Sequence, residues 1–308
     1  MCVRWRTVGD GSGPKGEELA TPRNIAVIGA GSWGTALAKL LAEQGLPTVL
    51  WAREHEIVDG IAAHHRNPLF LGDIDLPAAL SATGDLTEAL TRAEVVISAV
   101  PTQHIRSVFA DQAPLLSQAS VVVTVSKGIE AETLQTPHQI LSDLGVPEDR
   151  LVALSGPSFA REVAAQYPTA VVAAGRDRQR TIEARDLFST NRFRVYSSDD
   201  VISVELGGAL KNVVAIAAGV AHGLSLGHNT HAAIVTRGLA EITRLGAAQG
   251  GDPLTFAGLS GIGDLVLTCT GDLSRNRSVG VELGRGRSLE QIFARMNEVA
   301  EGVHTSRS

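Results

Sequence analysis

The chain has 308 residues, of which 44% are hydrophobic, 19% charged and 4% aromatic, and its formal net charge is −6. This length and apolar content fit a folded protein of one large domain or two ordinary ones. The negative charge argues against broad nucleic-acid binding. Its two cysteines, Cys2 and Cys269, argue against a disulfide framework and indicate the reducing cytoplasm. The apolar stretches are interrupted short of a membrane span, so no integral membrane contact is expected.

The first predicted elements follow a polar leader. Residues 1–23 contain no apolar run, which argues against a secretory signal and predicts a flexible leader. Residues 24–28 (NIAVI) are predicted as a strand, 32–44 as a helix and 47–51 as a second strand. This strand–helix–strand spacing is typical of a parallel crossover.

Five further short apolar runs are predicted as strands, at 94–100, 120–125, 151–154, 169–173 and 193–196. Such runs are typical of strands buried on both faces, so we predict an α/β fold with a doubly wound parallel (Rossmann) sheet. After residue 198 the pattern becomes helical, with predicted helices at 199–223 and 232–248 and no convincing strand. The sequence therefore predicts a dinucleotide-binding domain over 24–198 and an all-helical substrate domain over 199–308.

A glycine-rich turn, GAGSWG, spans residues 29–34 between the first strand and the first helix. Gly29 would permit the tight turn, Gly31 the approach of a pyrophosphate, and Gly34 the packing of helix on strand. The helix N-terminus would then offer N–H groups and partial positive charge to phosphates. The alternative is a purely structural turn.

The end of the second strand carries the residues that select the cofactor. An acid there typically binds the ribose hydroxyls of NAD, whereas an arginine accommodates the 2′-phosphate of NADP. This chain has Arg53 first and Glu54 next. The order favours NADP slightly, or tolerance of both cofactors, unless Arg53 is an ordinary surface charge.

Lys211 and Asn212 interrupt an otherwise apolar helix, which is predicted to be buried. A buried ammonium is costly unless it is paired or functional. Burial and a neighbouring like charge both lower a lysine pKa, which would make Lys211 a competent general base. The alternative is a lysine whose stem is buried while its ammonium reaches the surface.

Polar residues also follow the ends of later strands. Lys127 follows one strand, where it could meet an anionic substrate or polarise a carbonyl, although it could equally be a loop lysine. The segment 155–160 (SGPSFA) follows the next strand, and its small residues allow close backbone approach. Ser158 could line a site there or simply cap a helix.

Residues 258–276 combine a carboxylate, a hydroxyl, a guanidinium and an amide. Asp264 and Thr268 share one face if this segment is helical. Arg275 and Asn276 suit a phosphate, because a planar guanidinium fork and an amide both donate to oxyanions. On spacing alone, Asp264 could also be a helix cap or a surface charge.

Several motifs occur in one order: GAGSWG, VLWAR, NPLFLGDIDLP, AVPTQ, SKGIE, SGPSFA, ELGGALKNVVAIAAG, GLSGIGDLVLTCTG, SRN and VAEGV. From residue 24 onward the chain resembles the bacterial-type NAD(P)-dependent glycerol-3-phosphate dehydrogenases. The resemblance implies reversible reduction of dihydroxyacetone phosphate to sn-glycerol 3-phosphate for glycerophospholipid synthesis. It implies no metal, and a homodimer is common among such chains.

The resemblance also implies residue roles. Lys211 and Lys127 are the implied catalytic residues, with Lys211 as the acid/base. The implied substrate-binding residues are Lys127, Gly156, Ser158, Lys211, Asn212, Asp264, Thr268, Ser274, Arg275 and Asn276. The implied cofactor-binding residues are Gly29, Gly31, Ser32, Trp33, Gly34, Arg53, Lys127, Ala160, Arg275, Val299 and Glu301.

Two departures from the family pattern lead to further expectations. Similar chains usually continue into further helix after VAEGV, so the helical domain is expected to be truncated, and the leader is longer than usual.

Two alternatives remain beside the family interpretation. One is another two-domain reductase, of the 2-hydroxyacid or ketopantoate type, and the other is a catalytically idle dinucleotide-binding protein. The strings LKN, GIGD and SRN favour a phosphorylated substrate over the first, and the presence of both lysines argues against the second.

Overall fold

A single sheet of eight strands organises the first two thirds of the chain. The computed structural model describes residues 23–296 and 300–308, so the expected leader, apart from Arg23, and Val299 lie outside the described residues. The sheet order is β3-β2-β1-β4-β5-β6-β7-β8. The strands are β1 Ile25–Ile28, β2 Thr48–Trp51, β3 Ser81–Thr83, β4 Val95–Ser98, β5 Val121–Thr124, β6 Leu151–Ser155, β7 Thr169–Gly175 and β8 Phe193–Ser198.

Helices flank the sheet and then form a separate layer. The helices that accompany the strands are α1 Ser32–Glu43, α2 His55–His64, α3 Leu86–Thr91, α4 Ile105–Phe109, α5 Ala113–Leu116, α6 Pro137–Asp143, α7 Ala160–Ala164 and α8 Arg178–Phe188. The later helices are α9 Val201–Gly223, α10 Gly227–Ala248, α11 Asp264–Thr270, α12 Arg275–Gly284, α13 Leu289–Phe293 and α14 Glu301–Thr305.

The sheet is parallel except at one pair of strands, so the predicted doubly wound architecture is confirmed with one difference. Strands β6 and β7 run antiparallel. Only the five-residue helix α7 lies between them, and it rises about 7.5 Å, too little to return the chain along a strand. Strand β3 was not predicted, because its three residues, SAT, are half-exposed and lack an apolar run.

The two faces of the sheet each bury a core. In β1, Ile25 and Val27 belong to one buried cluster, whereas Ala26 and Ile28 belong to the cluster on the opposite face. This alternation is the period-two geometry of a strand covered by helices on both sides. It explains why the strand sequences are apolar throughout.

The later helices pack around α9. Asp200 caps α9 by accepting the Ser203 N–H, so the helix begins two residues after the predicted start at 199. Helix α10 begins at Gly227 rather than at 232, because its first turn is exposed and polar and gave no apolar periodicity. Helices α9 and α12 meet backbone to backbone, since a Cβ added to Gly219 would lie 2.2 Å from the Arg277 carbonyl oxygen.

Helix α9 has the length and mean hydropathy of a membrane span. Within the described residues it is the one helix with these properties, and 67% of its apolar window is buried inside the fold. The central helix of a soluble protein meets the same criteria. The packing of α9 against α10, α11 and α12 accounts for its apolar sequence.

Candidate active site

Two lysines, one from each part of the chain, meet at a single carboxylate. Lys127 Nζ lies 2.7 Å from Asp264 Oδ2, and Lys211 Nζ hydrogen-bonds Asp264 Oδ1. Lys211 also donates to the Thr268 hydroxyl at 2.9 Å. Lys127 comes from the loop after β5, whereas the other three residues come from α9 and α11. The cluster therefore forms where the edge of the sheet meets the helical layer.

Burial determines the electrostatics of Lys211. Its residue is 6% exposed, and this burial lowers the pKa of its ammonium from 10.5 to about 8. The Asp264 carboxylate opposes the shift, while the positive charge of Lys127 adds to it. An amine with such a pKa can exchange a proton near neutral pH, as the sequence led us to expect.

Asp264 and Thr268 share one face of α11, as their spacing predicts. A π-helical turn, Leu259–Gly263, directly precedes α11 and leads into Asp264, which is fully buried. The Thr268 hydroxyl donates to the Asp264 carbonyl oxygen at 2.6 Å, so it can accept from Lys211. Its complete burial excludes the alternative that Asp264 is a surface charge.

The Lys127 ammonium has a second partner at the end of β6. It donates to the Gly156 carbonyl oxygen at 2.9 Å, and the Ser158 hydroxyl donates to the same oxygen at 2.9 Å. Gly156 has a φ of +139°, and a Cβ there would lie 2.9 Å from Val171 Cα. Only glycine fits this conformation and this close approach.

The N-terminus of α12 adjoins the same cluster. The Asn212 amide donates to the Lys127 carbonyl oxygen at 3.4 Å, which links α9 to the lysine loop. Asn276 Oδ1 accepts the Gly302 N–H at 3.0 Å and so holds the first turn of α14 against α12. Ser274 caps α12 by accepting the Arg277 N–H, a structural use of its hydroxyl. Arg275 is the first residue of that helix.

Glu301 contacts the turn that follows β4. Its carboxylate accepts the Thr102 N–H at 3.0 Å and lies 3.3 Å from the Thr102 hydroxyl. Burial raises the pKa of Glu301, although the Thr102 hydrogen bonds and the charge of Arg275 oppose the shift. Sequence reasoning did not single out Thr102, although it lies in the AVPTQ motif and its partner is 199 residues away.

The glycine-rich turn is closely packed at two of its three glycines. Gly29 has a φ of +112°, and a Cβ there would lie 2.8 Å from the Ala99 carbonyl oxygen. A Cβ on Gly34 would lie 1.9 Å from the Gly29 carbonyl oxygen, so helix and turn touch directly. A Cβ on Gly31 would meet no described atom within 4 Å. Gly29 and Gly34 are thus packed tightly against backbone, whereas the space around Gly31 is open.

Helix α1 fits an anionic ligand at its N-terminus. Among the described residues no side chain caps this helix, and its first turn, which contains Ser32 and Trp33, carries no acidic residue. The Trp33 indole nitrogen is buried without a hydrogen-bond partner in the described part of the chain. Trp33 and Ala160 pack against the same core cluster. These features fit a dinucleotide pyrophosphate.

Arg53 lies just after β2 with its side chain 83% exposed. Its guanidinium donates to Glu54 Oε1 from both Nε, at 3.1 Å, and Nη2, at 2.8 Å. Arg53 thus lies two residues beyond the end of β2, paired with Glu54, and its contact with a cofactor stays a prediction. Val299, the remaining expected cofactor residue, lies outside the described residues.

Glu205 is a buried carboxylate on α9 that the sequence did not single out. It accepts the His138 N–H at 2.9 Å at the N-terminus of α6. Burial raises its pKa to about 7, against the effect of hydrogen bonds from Thr136 and His138. Its partners are a hydroxyl and a backbone amide from another element, which no local pattern reveals.

The largely parallel sheet carries a glycine-rich turn after its first strand, and a buried lysine cluster lies where the sheet meets the helical layer. This combination is typical of a two-domain nicotinamide-nucleotide-dependent dehydrogenase. Comparison with known proteins identifies the family. Residues 24–181 match the N-terminal profile of NAD-dependent glycerol-3-phosphate dehydrogenase, and residues 200–308 match its C-terminal profile. The chain therefore belongs to the NAD-dependent glycerol-3-phosphate dehydrogenase family.

Individual relatives agree with this assignment. The chain is 54% identical over 286 residues to a glycerol-3-phosphate dehydrogenase [NAD(P)+] of Citrifermentans bemidjiense, which covers 92% of this chain and 85% of that protein. It is 52% identical over 286 residues to the Myxococcus xanthus protein of the same description, with the same coverage. The crystal structure of the Coxiella burnetii glycerol-3-phosphate dehydrogenase, 39% identical, superposes with a TM-score of 0.87 over 92% of this chain and 87% of that one.

These matches identify the chain as an oxidoreductase that uses NAD or NADP, as the sequence predicted. They favour the glycerol-3-phosphate dehydrogenase interpretation over the 2-hydroxyacid or ketopantoate-type reductases and over an idle nucleotide-binding protein.

Proposed function

We propose that the chain catalyses the reversible reduction of dihydroxyacetone phosphate to sn-glycerol 3-phosphate, with Lys211 as the general acid and base. The observation that carries this proposal is the buried Lys211 ammonium, which is hydrogen-bonded to Asp264 and Thr268. Both neighbours hold its nitrogen in place, and burial brings its pKa to about 8. The same group can therefore give and take a proton near neutral pH.

The direction of proton transfer depends on the charge of Lys211. In ketone reduction its ammonium would donate a proton to the carbonyl oxygen, which becomes the hydroxyl. In the reverse direction its neutral amine would accept that hydroxyl proton. Lys127, bound to the other oxygen of Asp264, adds a positive charge beside the developing alkoxide.

The substrate phosphate is proposed to bind at the start of α12. Arg275 and Asn276 stand in the first turn of this helix, where the helix dipole favours an anion. A guanidinium fork recognises phosphate oxygens, and Lys127 contributes further positive charge. Gly156, Ser158, Asn212, Thr268 and Ser274 would complete the lining of this pocket.

The dinucleotide is proposed to bind along the turn at residues 29–34. When bound, it supplies the hydride. Arg53 would hold the 2′-phosphate of NADP, which favours NADP slightly, and Ala160, Val299 and Glu301 would lie beside the cofactor. The open backbone at Gly31 supports this placement.

The family resemblance supports the wider setting of the reaction. We propose a cytoplasmic enzyme, acting as a homodimer, that supplies sn-glycerol 3-phosphate for glycerophospholipid synthesis. Residues 24–198 would form the dinucleotide-binding domain and residues 199–308 the substrate domain.

The direct test follows the oxidation of reduced nicotinamide by absorbance on adding dihydroxyacetone phosphate, with NADPH and NADH in parallel. Substrate-dependent oxidation is expected with both cofactors and is expected to be faster with NADPH. A folded protein that oxidises neither cofactor with this ketone, but does so with a 2-oxoacid, would contradict the proposed substrate.

A further inference from the structure

Asn67 is a fully buried side chain whose hydrogen-bonding groups are all in use. It lies in the NPLFLG motif between α2 and β3, and its residue is 0% exposed. Its amide nitrogen donates to the Ala30 carbonyl oxygen at 2.9 Å and to the Thr35 hydroxyl at 2.8 Å. Its amide oxygen accepts the N–H groups of Leu69, at 3.2 Å, and Phe70, at 3.0 Å. Two donors and two lone pairs are the whole capacity of an asparagine amide.

The Ala30 carbonyl that Asn67 binds lies in the middle of the glycine-rich turn. The Thr35 hydroxyl donates to the same oxygen at 3.2 Å, so two buried side chains hold it. In a trans peptide the carbonyl oxygen and the following N–H point to opposite sides of the peptide. None of the described peptide bonds is cis. Holding the Ala30 oxygen inward therefore turns the Gly31 N–H outward.

The space next to Gly31 is open, so a ligand has room beside this peptide. A Cβ on Gly31 would meet no atom within 4 Å among the described residues, whereas one on Gly29 or Gly34 would clash with backbone. If the Ala30–Gly31 peptide rotated, it would present its carbonyl oxygen to this space in place of an N–H. A carbonyl oxygen repels a pyrophosphate, whereas an N–H binds it.

We propose that Asn67 is a positioning residue for the dinucleotide, which keeps the Ala30–Gly31 peptide turned so that the Gly31 N–H faces the pyrophosphate. This inference rests on the proposed binding of NAD(P) along residues 29–34. Asn67 acts through the backbone and does not touch the cofactor. Thr35 contributes to the same positioning, because its hydroxyl donates to the Ala30 carbonyl oxygen and accepts from the Asn67 amide nitrogen.

The two ends of the Asn67 amide allow its roles to be separated. Its oxygen orders its own segment, while its nitrogen orders the glycine-rich turn. Asn67→Asp keeps the shape and the acceptor for Leu69 and Phe70 but, when ionised, cannot donate to Ala30. Asn67→Ala removes both functions without adding charge. Thr35→Val removes the hydroxyl and leaves Asn67 intact, and Thr35→Ser restores a hydroxyl.

Thr181→Val is the matched control for Thr35→Val. Thr181 is a buried threonine in the first turn of α8, and its hydroxyl donates to the Asp177 carbonyl oxygen at 2.7 Å. The substitution therefore removes the same kind of hydrogen bond away from the glycine-rich turn. Its loss of stability is expected to be similar, without an effect on the cofactor.

The experiment measures the Kd of NADPH and NADH by fluorescence titration of the full chain, together with kcat at saturating cofactor. We expect Asn67→Ala and Asn67→Asp to raise Kd about tenfold, and Thr35→Val about threefold, with kcat within about twofold of the parent. Thr35→Ser and Thr181→Val are expected to bind like the parent. If Asn67 and Thr35 only stabilised the fold, their variants would have a lower unfolding temperature but would not combine a raised Kd with an unchanged kcat.

Each other outcome has a definite meaning. Unchanged Kd in both Asn67→Ala and Thr35→Val would overturn the inference while leaving the proposed function intact. Weaker binding in Asn67→Asp alone would show simple charge repulsion and would also overturn it. A parent protein that binds neither dinucleotide would refute the proposed cofactor site, and this inference with it. If the Asn67 variants do not fold, the comparison of Thr35→Val with Thr35→Ser and Thr181→Val decides.

Discussion

Lys127 and Lys211 bind the two different oxygens of one buried carboxylate, that of Asp264. Two ammonium groups so close together repel each other, and Asp264 is the charge that offsets this repulsion. Burial and the charge of Lys127 lower the Lys211 pKa, and the Asp264 carboxylate keeps it from falling as far as these two effects would otherwise take it. The acid–base behaviour of the site is therefore shared among three residues.

Replacing Lys211 should remove proton transfer. Lys211→Ala is expected to lower kcat by at least about 100-fold while leaving the Kd of NADPH unchanged, because general acid–base catalysis contributes factors of this size. Steady-state rates and a cofactor titration measure the two quantities. The control is Lys39→Ala, which removes a buried lysine paired with Glu43 on α1. Near-normal turnover in Lys211→Ala would contradict the assignment.

The pH dependence should differ between the two directions. In the proposed mechanism, oxidation of glycerol 3-phosphate requires neutral Lys211, so kcat/KM for this direction should rise as pH increases through about 8. Reduction requires the ammonium and should fall over the same range. Profiles measured in both directions test this, and a shared slope of the same sign would refute the acid–base role of Lys211.

Asp264→Asn should shift the pH profile and not only slow the enzyme. The Asp264 carboxylate raises the Lys211 pKa, so its loss is expected to move the rise in the oxidation profile below pH 8. The matched control is Asp186→Asn, which breaks an exposed pair with Arg185. A profile that stays at its original pH in Asp264→Asn would show that Asp264 does not set the Lys211 pKa.

Arg275→Ala should mainly weaken substrate binding. Loss of a guanidinium–phosphate contact is expected to raise the KM for dihydroxyacetone phosphate about tenfold or more. Arg285→Ala, at the other end of the same helix, removes an exposed pair with Glu282 and serves as the control. An unchanged KM in Arg275→Ala would place the phosphate elsewhere.

The free energy of unfolding should depend on pH through the buried carboxyl group of Glu205. Its folded pKa of about 7 lies above the ordinary value of 4.5, so the folded protein binds more protons between these pH values. The free energy of unfolding therefore falls as pH rises through this window. Glu205→Gln should remove this fall. Between pH 4.5 and pH 8 the free energy of unfolding of the variant should therefore rise relative to that of the parent by up to about 3 kcal/mol. Denaturant titrations measure it, with exposed Glu132→Gln as the control, and parallel pH curves would refute it.

Sequence reasoning succeeded where the signal was local. The buried strands are recognisable in the sequence as short apolar runs. Lys211 is recognisable because its charged side chain interrupts an apolar helix. Spacing alone placed Asp264 and Thr268 on one face of α11. The antiparallel pairing of β7 could not be predicted, because strand direction depends on how the connecting chain crosses the sheet.

The contacts that sequence reasoning missed join distant residues. Thr102 meets Glu301 across 199 positions, and Asn67 meets Ala30 across 37. Glu205 lies in the same helix as Lys211 but was not singled out, because its partners are a hydroxyl and a backbone N–H from another element. Such partners become visible only when the packing is known.

The seam between α9 and α12 has a consequence for how this protein can vary. A Cβ on Gly280 would lie 2.0 Å from the Ile216 carbonyl oxygen, and one on Gly223 would lie 2.3 Å from that of Val281. Any side chain at these positions would overlap with the backbone of the facing helix. A substitution would therefore increase the distance between the two helices. Because α9 carries Lys211 and α12 carries Arg275, such a push would alter the distance between the proposed acid–base group and the proposed phosphate contact. Glycines at these positions thus preserve the distance between the two groups that we propose contact the substrate.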